Sequence, residues 1–127
     1  MPRTTFKNDM TITGSLSVTG AFSSPISTGT AAAGAVTLAA LQGKITTEAL
    51  TTAANATYTL TVTNSLVAAA DIVMVSLANG TNAQGQTVIL RATPAAGSFV
   101  VVVANKDAAQ ALNGTLVVSY QVLKATA

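Results

Sequence analysis

The sequence predicts an all-β, jelly-roll-like β-sandwich preceded by an extended N-terminal arm, and three observations carry that expectation. Residues 57–63 alternate threonine with Tyr58, Leu60 and Val62, the period-2 pattern of a strand with one hydroxyl and one apolar face. Short β-branched runs recur behind it, separated by turn signals about every 8–12 residues, the rhythm of a two-sheet sandwich. Ahead of it, residues 11–20 set Ile12, Leu16 and Val18 among hydroxyl side chains, with Gly14 and Gly20 as punctuation. A lone chain has little with which to bury that stretch.

The division that follows is an arm and linker over residues 1–34 and a sandwich over 35–127. Residues 23–30, Ser-Ser-Pro-Ile-Ser-Thr-Gly-Thr, read as linker because proline lacks a backbone donor and the small polar side chains resist packing. Short strands are expected over 36–41 and 45–50, and 57–63 is the clearest. The runs at 72–77, 87–90 and 99–103 are rich in valine, isoleucine and leucine and read as strands covered on both faces. Residues 116–123 supply a last long strand. Asn79-Gly80, Ala96-Gly97 and Asn113-Gly114 mark turns, since glycine and asparagine tolerate positive φ. Two alanine-rich stretches, 31–43 and 106–112, compete as helices. An isolated helix shorter than about 12 residues is marginal in water, so at most a helical turn near Ala108 is expected.

Composition argues against catalysis. Among 127 residues there is no histidine, cysteine or tryptophan, and charged residues make up 8% where about 25% is usual. The side chains that most often move protons, attack substrates or bind metals are missing, so no enzyme activity, cofactor or metal is expected. Asp9, Glu48, Asp71 and Asp107 have no spacing that pairs them for acid–base work, and no serine sits in a Gly-x-Ser-x-Gly elbow. Arg3, Lys7, Lys44, Arg91, Lys106 and Lys124 are scattered without aromatic platforms, which argues against nucleic acid. No apolar run suits a signal peptide or a spanning helix, and the five scattered aromatics form no barrel girdle. A chain so poor in charge is weakly protected against association. Its surface reads as one covered by other subunits.

The phrases Ile45-Thr-Thr-Glu-Ala-Leu-Thr-Thr-Ala-Ala-Asn-Ala-Thr-Tyr-Thr-Leu-Thr-Val-Thr-Asn64, Asn79-Gly-Thr-Asn82, Thr93-Pro-Ala-Ala-Gly-Ser-Phe-Val-Val100 and Ala111-Leu-Asn-Gly-Thr-Leu-Val-Val-Ser-Tyr120 resemble small tailed-phage virion proteins. They are most similar to the decoration, or cement, proteins of phage heads. The resemblance spans residues 41–123 and implies a jelly-roll or related fold on the outside of the capsid, clamping adjacent major capsid subunits. No functional residue transfers by motif. The arm itself resembles the glycine-spaced strands of trimeric phage fibres, so the expected partners are the major capsid protein and the chain itself, a homotrimer ahead of a homodimer. Arg3, Phe6, Lys7, Ile12, Leu16 and Val18 are the expected interface residues. The alternative is a fibre or tail component whose β domain binds a receptor or glycan.

Overall fold

Alternating threonine and large apolar residues at 57–63 dictate a strand that must cover one face, and a second sheet supplies the cover. The computed structural model describes residues 4–21 and 23–125. It holds eight strands: β1 (Ser27–Thr30), β2 (Ala35–Thr37), β3 (Gln42–Thr46), β4 (Thr57–Thr63), β5 (Ile72–Asn79), β6 (Thr87–Ala95), β7 (Ser98–Asn105) and β8 (Leu116–Leu123). They form two four-stranded sheets, ordered β1-β3-β8-β5 and β2-β4-β7-β6, packed face to face. The first is called the β8 sheet below and the second the β7 sheet.

The chain changes sheet at every connection except the β6–β7 hairpin. One consequence is two parallel edge pairs, β1 with β3 and β2 with β4, among otherwise antiparallel neighbours. Parallel strands need a crossover between them. Here the opposite sheet provides it, β2 for the first pair and β3 for the second. The fold is thus an eight-stranded β-sandwich, and its two parallel edge pairs set it apart from the antiparallel Greek keys of a jelly roll.

The core is what alternation turns inward. Leu60 and Val62 of β4, Phe99, Val101 and Val103 of β7, and Leu116 and Val118 of β8 are essentially inaccessible, with Ile45 of β3 beside them. Phe99 meets Tyr120 of β8 with ring centroids 4.8 Å apart, a tilted pairing across the two layers. Loop residues Ala31, Leu50, Val67 and Leu112 close the ends.

Several expectations change in detail. Residues 27–30, within the stretch read as linker, form β1 and pair with β3. Of the predicted strand at 36–41 only Val36 and Thr37 are extended in a sheet, as the end of β2, and the predicted strand at 45–50 begins earlier, at Gln42, and ends at Thr46. Neither alanine-rich stretch is helical. Near Ala108 the chain bends instead, with the Asp107 carboxylate accepting from the backbone N–H groups of Ala109 and Gln110 at 2.8 and 2.9 Å. These bonds hold the Asp107 carboxyl below its ordinary range. Of the runs read as doubly covered, β7 is buried along most of its length, but Ile72 and Met74 of β5 and Val88 and Leu90 of β6 are exposed. Both of these strands lie at sheet edges, where one face meets solvent.

The predicted turn at Ala96-Gly97 joins β6 to β7, with Gly97 at φ 76°. At Asn113-Gly114 the reason for glycine is different, because φ is not positive there. A Cβ on Gly114 would sit 2.6 Å from the Asn82 backbone nitrogen, so close approach of two loops excludes a side chain.

Buried amides organise those loops. Asn105, fully inaccessible, donates to the carbonyls of Thr52 and Ala53 at 3.2 Å and of Gln110 at 2.8 Å. Its oxygen accepts from the N–H groups of Gln86 and Asp107 at 3.0 and 3.1 Å. Asn64 and Asn82 play the same part elsewhere, Asn64 donating to Ala40 and Asn82 accepting from Asn113. Among the described residues no buried side-chain donor or acceptor lacks a partner.

Candidate interaction surfaces

Each sheet has an outer face set by strand register. On the β8 sheet it is made by Thr28 and Thr30, then Gln42, Lys44 and Thr46, then Val117, Ser119, Gln121 and Leu123, then Ile72, Met74, Ser76 and Ala78. On the β7 sheet it is a column of Thr57, Thr59, Thr61 and Thr63 beside Ser98, Val100, Val102 and Ala104, flanked by β2 and β6. Register shifts between Ile89 and Arg91, a bulge that bends β6. The eight strands contain two charged residues, Lys44 and Arg91, one for each outer face. A shallow groove of ≈ 310 Å³ crosses the first face between Gln42, Ser119, Gln121, Met74 and Ser76, with no charge in its lining.

The three carboxylates outside the arm hold loops. Glu48 accepts from the Gly34 backbone N–H at 2.7 Å and from the Tyr58 hydroxyl at 3.0 Å, pinning the β1–β2 turn to β4. Burial, and then the adjacent carboxylate, keep the Tyr58 hydroxyl protonated far above its ordinary range. Gly34 sits at φ 73°, where a Cβ would lie 2.7 Å from the Thr59 carbonyl oxygen. Asp71 receives Lys124 Nζ and the backbone N–H groups of Ala68 and Ala125, which tie the chain after β8 to the β4–β5 connection. Glu48, Asp71 and Asp107 therefore serve three separate loops and share no partner. The described residues hold no group of three potential metal ligands.

Hydrogen bonds from Lys124, Ala68 and Ala125 lower the Asp71 carboxyl from 3.8 to about 2. A depressed carboxylate contributes stability that is complete above its unfolded value and lost as pH falls through the folded one. The loss lies between 3.8 and about 2. Lys124→Met removes the largest cause, so its acid-unfolding midpoint is expected at higher pH than that of the wild type. Coincident acid transitions by circular dichroism would show that the pair does not tie down this end of the sandwich.

Of the six residues singled out from the sequence, Arg3 lies outside the described residues. Phe6, Lys7, Ile12, Leu16 and Val18 are all exposed, on a stretch without strand or helix, and the structure brings none of them into the core. The exposed apolar residues of the sandwich itself, Ile72, Met74 and Leu123 foremost, were missed. Ile72 and Leu123 face each other across β5 and β8, both outward. Their sequence runs look the same as buried ones, and only strand order separates them. Of the aromatics, Phe99 and Tyr120 are buried and Tyr58 is half-buried, so among the described residues no ring is offered on either outer face. Comparison with protein-family models, with characterised proteins and with solved structures found no match to this chain.

Proposed function

We propose that the protein is a structural virion component that binds the outside of a phage head and reinforces contacts between major capsid subunits. One observation carries the reading: two broad faces of hydroxyl and apolar side chains have a single charge each. Such faces suit contact with protein. Ion-free hydroxyl arrays desolvate at modest cost when paired, and apolar area contributes about 25 cal/mol per Å² buried.

Size sets how the contact must work. The strands hold 25 residues in one sheet and 27 in the other, and at about 3.3 Å per residue and about 4.8 Å between strands each face covers roughly 400 Å². Pressed on a partner, one face buries about 800 Å² in total, below the roughly 1,000 Å² that a specific interface needs. A single face holds weakly. Firm attachment then needs the arm, or several linked copies acting together.

Purified protein should restore occupancy on expanded heads that lack it, at a copy number that follows the shell lattice rather than the few copies of a tail or fibre part. Two charge-inserting pairs probe the faces: Thr28→Glu with Lys44→Glu on the β8 sheet, and Thr59→Glu with Thr61→Glu on the β7 sheet. At least one pair should abolish occupancy while the β-sheet dichroism is retained. Full occupancy with both would overturn the reading. Deleting residues 1–20 should lower occupancy and leave the sandwich folded; undiminished occupancy would remove the arm from the interface.

A further inference from the structure

A sandwich of open sheets has four edge strands, here β1, β2, β5 and β6. Edge strands expose unpaired N–H and C=O groups, and proteins that stay apart blunt them by shortness, proline, bulges or charge. Three of these four are blunted. β1 has four residues and follows Pro25, β2 has three, and β6 carries a bulge, Arg91 and Pro94. The fourth, β5, is different. It has eight residues, Ile-Val-Met-Val-Ser-Leu-Ala-Asn, with no charge, no proline and unbroken register against β8. Its outward residues Ile72 and Met74 are 60% and 54% exposed.

The same chain carries a second unpaired element. Residues 11–20, Thr-Ile-Thr-Gly-Ser-Leu-Ser-Val-Thr-Gly, place Ile12, Gly14, Leu16 and Val18 on one side of an extended chain and hydroxyls on the other. In the monomer these residues form no strand and are exposed throughout. They precede β1, which lies at the opposite edge of the same sheet from β5. Two copies set side by side therefore bring the arm of one near the β5 edge of the next.

We infer that residues 11–20 of one copy add as a strand to the free edge of β5 in a second copy, with Ile12, Leu16 and Val18 beside Ile72 and Met74. Strand addition satisfies the outer backbone groups of β5 and those on one side of the arm, and like-faced apolar neighbours across the pair supply the selectivity. Each copy then gives one arm and receives one. That head-to-tail contact closes into a ring when the rotation allows. The inference supplies the linked copies that the reading above calls for, and it does not require the capsid.

The absence of native cysteine makes the test clean. In the full chain, Met74→Cys is combined in turn with Gly14→Cys, Leu16→Cys or Val18→Cys, and with Ser15→Cys or Ser17→Cys as opposite-face controls. Mild oxidation should give covalent multimers for at least one of the first three pairs and for neither control. Met74→Lys, a change at an exposed position, should convert the oligomer to monomer in light scattering without loss of β-sheet dichroism. An oligomer that survives Met74→Lys, or disulfides indifferent to face, would overturn the strand exchange alone. A wild-type chain that is monomeric at all concentrations would overturn the self-association as well.

Discussion

Asn105→Asp is expected to destabilise the sandwich by about 3–5 kcal/mol at neutral pH, although the two side chains have nearly the same shape. The Asn105 amide nitrogen donates to three carbonyl oxygens, those of Thr52, Ala53 and Gln110, from a fully buried site. The two amide hydrogens are shared among these three oxygens, and a carboxylate there turns attraction into repulsion at all of them. The two N–H groups of Gln86 and Asp107 that already face Oδ1 offset only part of this. The pH dependence has a definite sign. The introduced group has its folded pKa raised above the unfolded value of about 3.9, so the difference from wild type is small below that pH and grows as pH rises toward 7. Urea unfolding of both proteins at about pH 4 and pH 7 reads it. Equal stability at pH 7 would mean that the loops around residues 52, 86 and 110 are held by something other than this amide.

Phe99→Ala is expected to cost a similar amount, about 3–5 kcal/mol, through the cavity it leaves. Phe99 has no solvent exposure and sits on β7, with the Tyr120 ring of the other sheet against it. The effect should spread. Tyr120 donates its hydroxyl to the carbonyl of Ala40 at 3.0 Å and receives Asn64, so its ring position helps fix the β2–β3 crossing. With Phe99 gone, that crossing loses part of its support, and amide exchange around residues 38–41 should accelerate more than at β6. Phe99→Leu keeps most of the volume and should cost less. An unfolding midpoint for Phe99→Ala within error of the wild type would show that the two sheets do not depend on this contact.

Sequence legibility varied with how local the cause was. The strand at 57–63 was readable because alternation is a property of neighbouring residues, and Leu60 and Val62 are indeed inaccessible while the threonines face out. The hairpin at Ala96-Gly97 was readable because a positive φ is a local demand. Residues 27–30 looked like linker, since Ser-Thr-Gly-Thr has no apolar alternation. They become a strand because β3 offers parallel pairing and Ala31 plugs the core beyond them. Asn105 reads as one more polar residue at the end of a valine run. Its role as a hub comes from five loop partners, none visible without the fold.

The candidate surface shows the same division. Scarcity of charge and the near-absence of catalytic side chains are properties of composition, and the sequence by itself determined that the strands would present hydroxyl and apolar faces with little charge. It also determined period-2 alternation in the arm, which follows from residue order alone. Which strand would lie at an edge was beyond its reach. β5 and β7 are both uncharged, β-branched runs of eight residues, yet β7 ends between two neighbours and β5 beside only one. That outcome depends on pairing energies between segments far apart in the chain, summed over two sheets at once. Only the tertiary structure could decide that Ile72 and Met74 face outward on an unblunted edge.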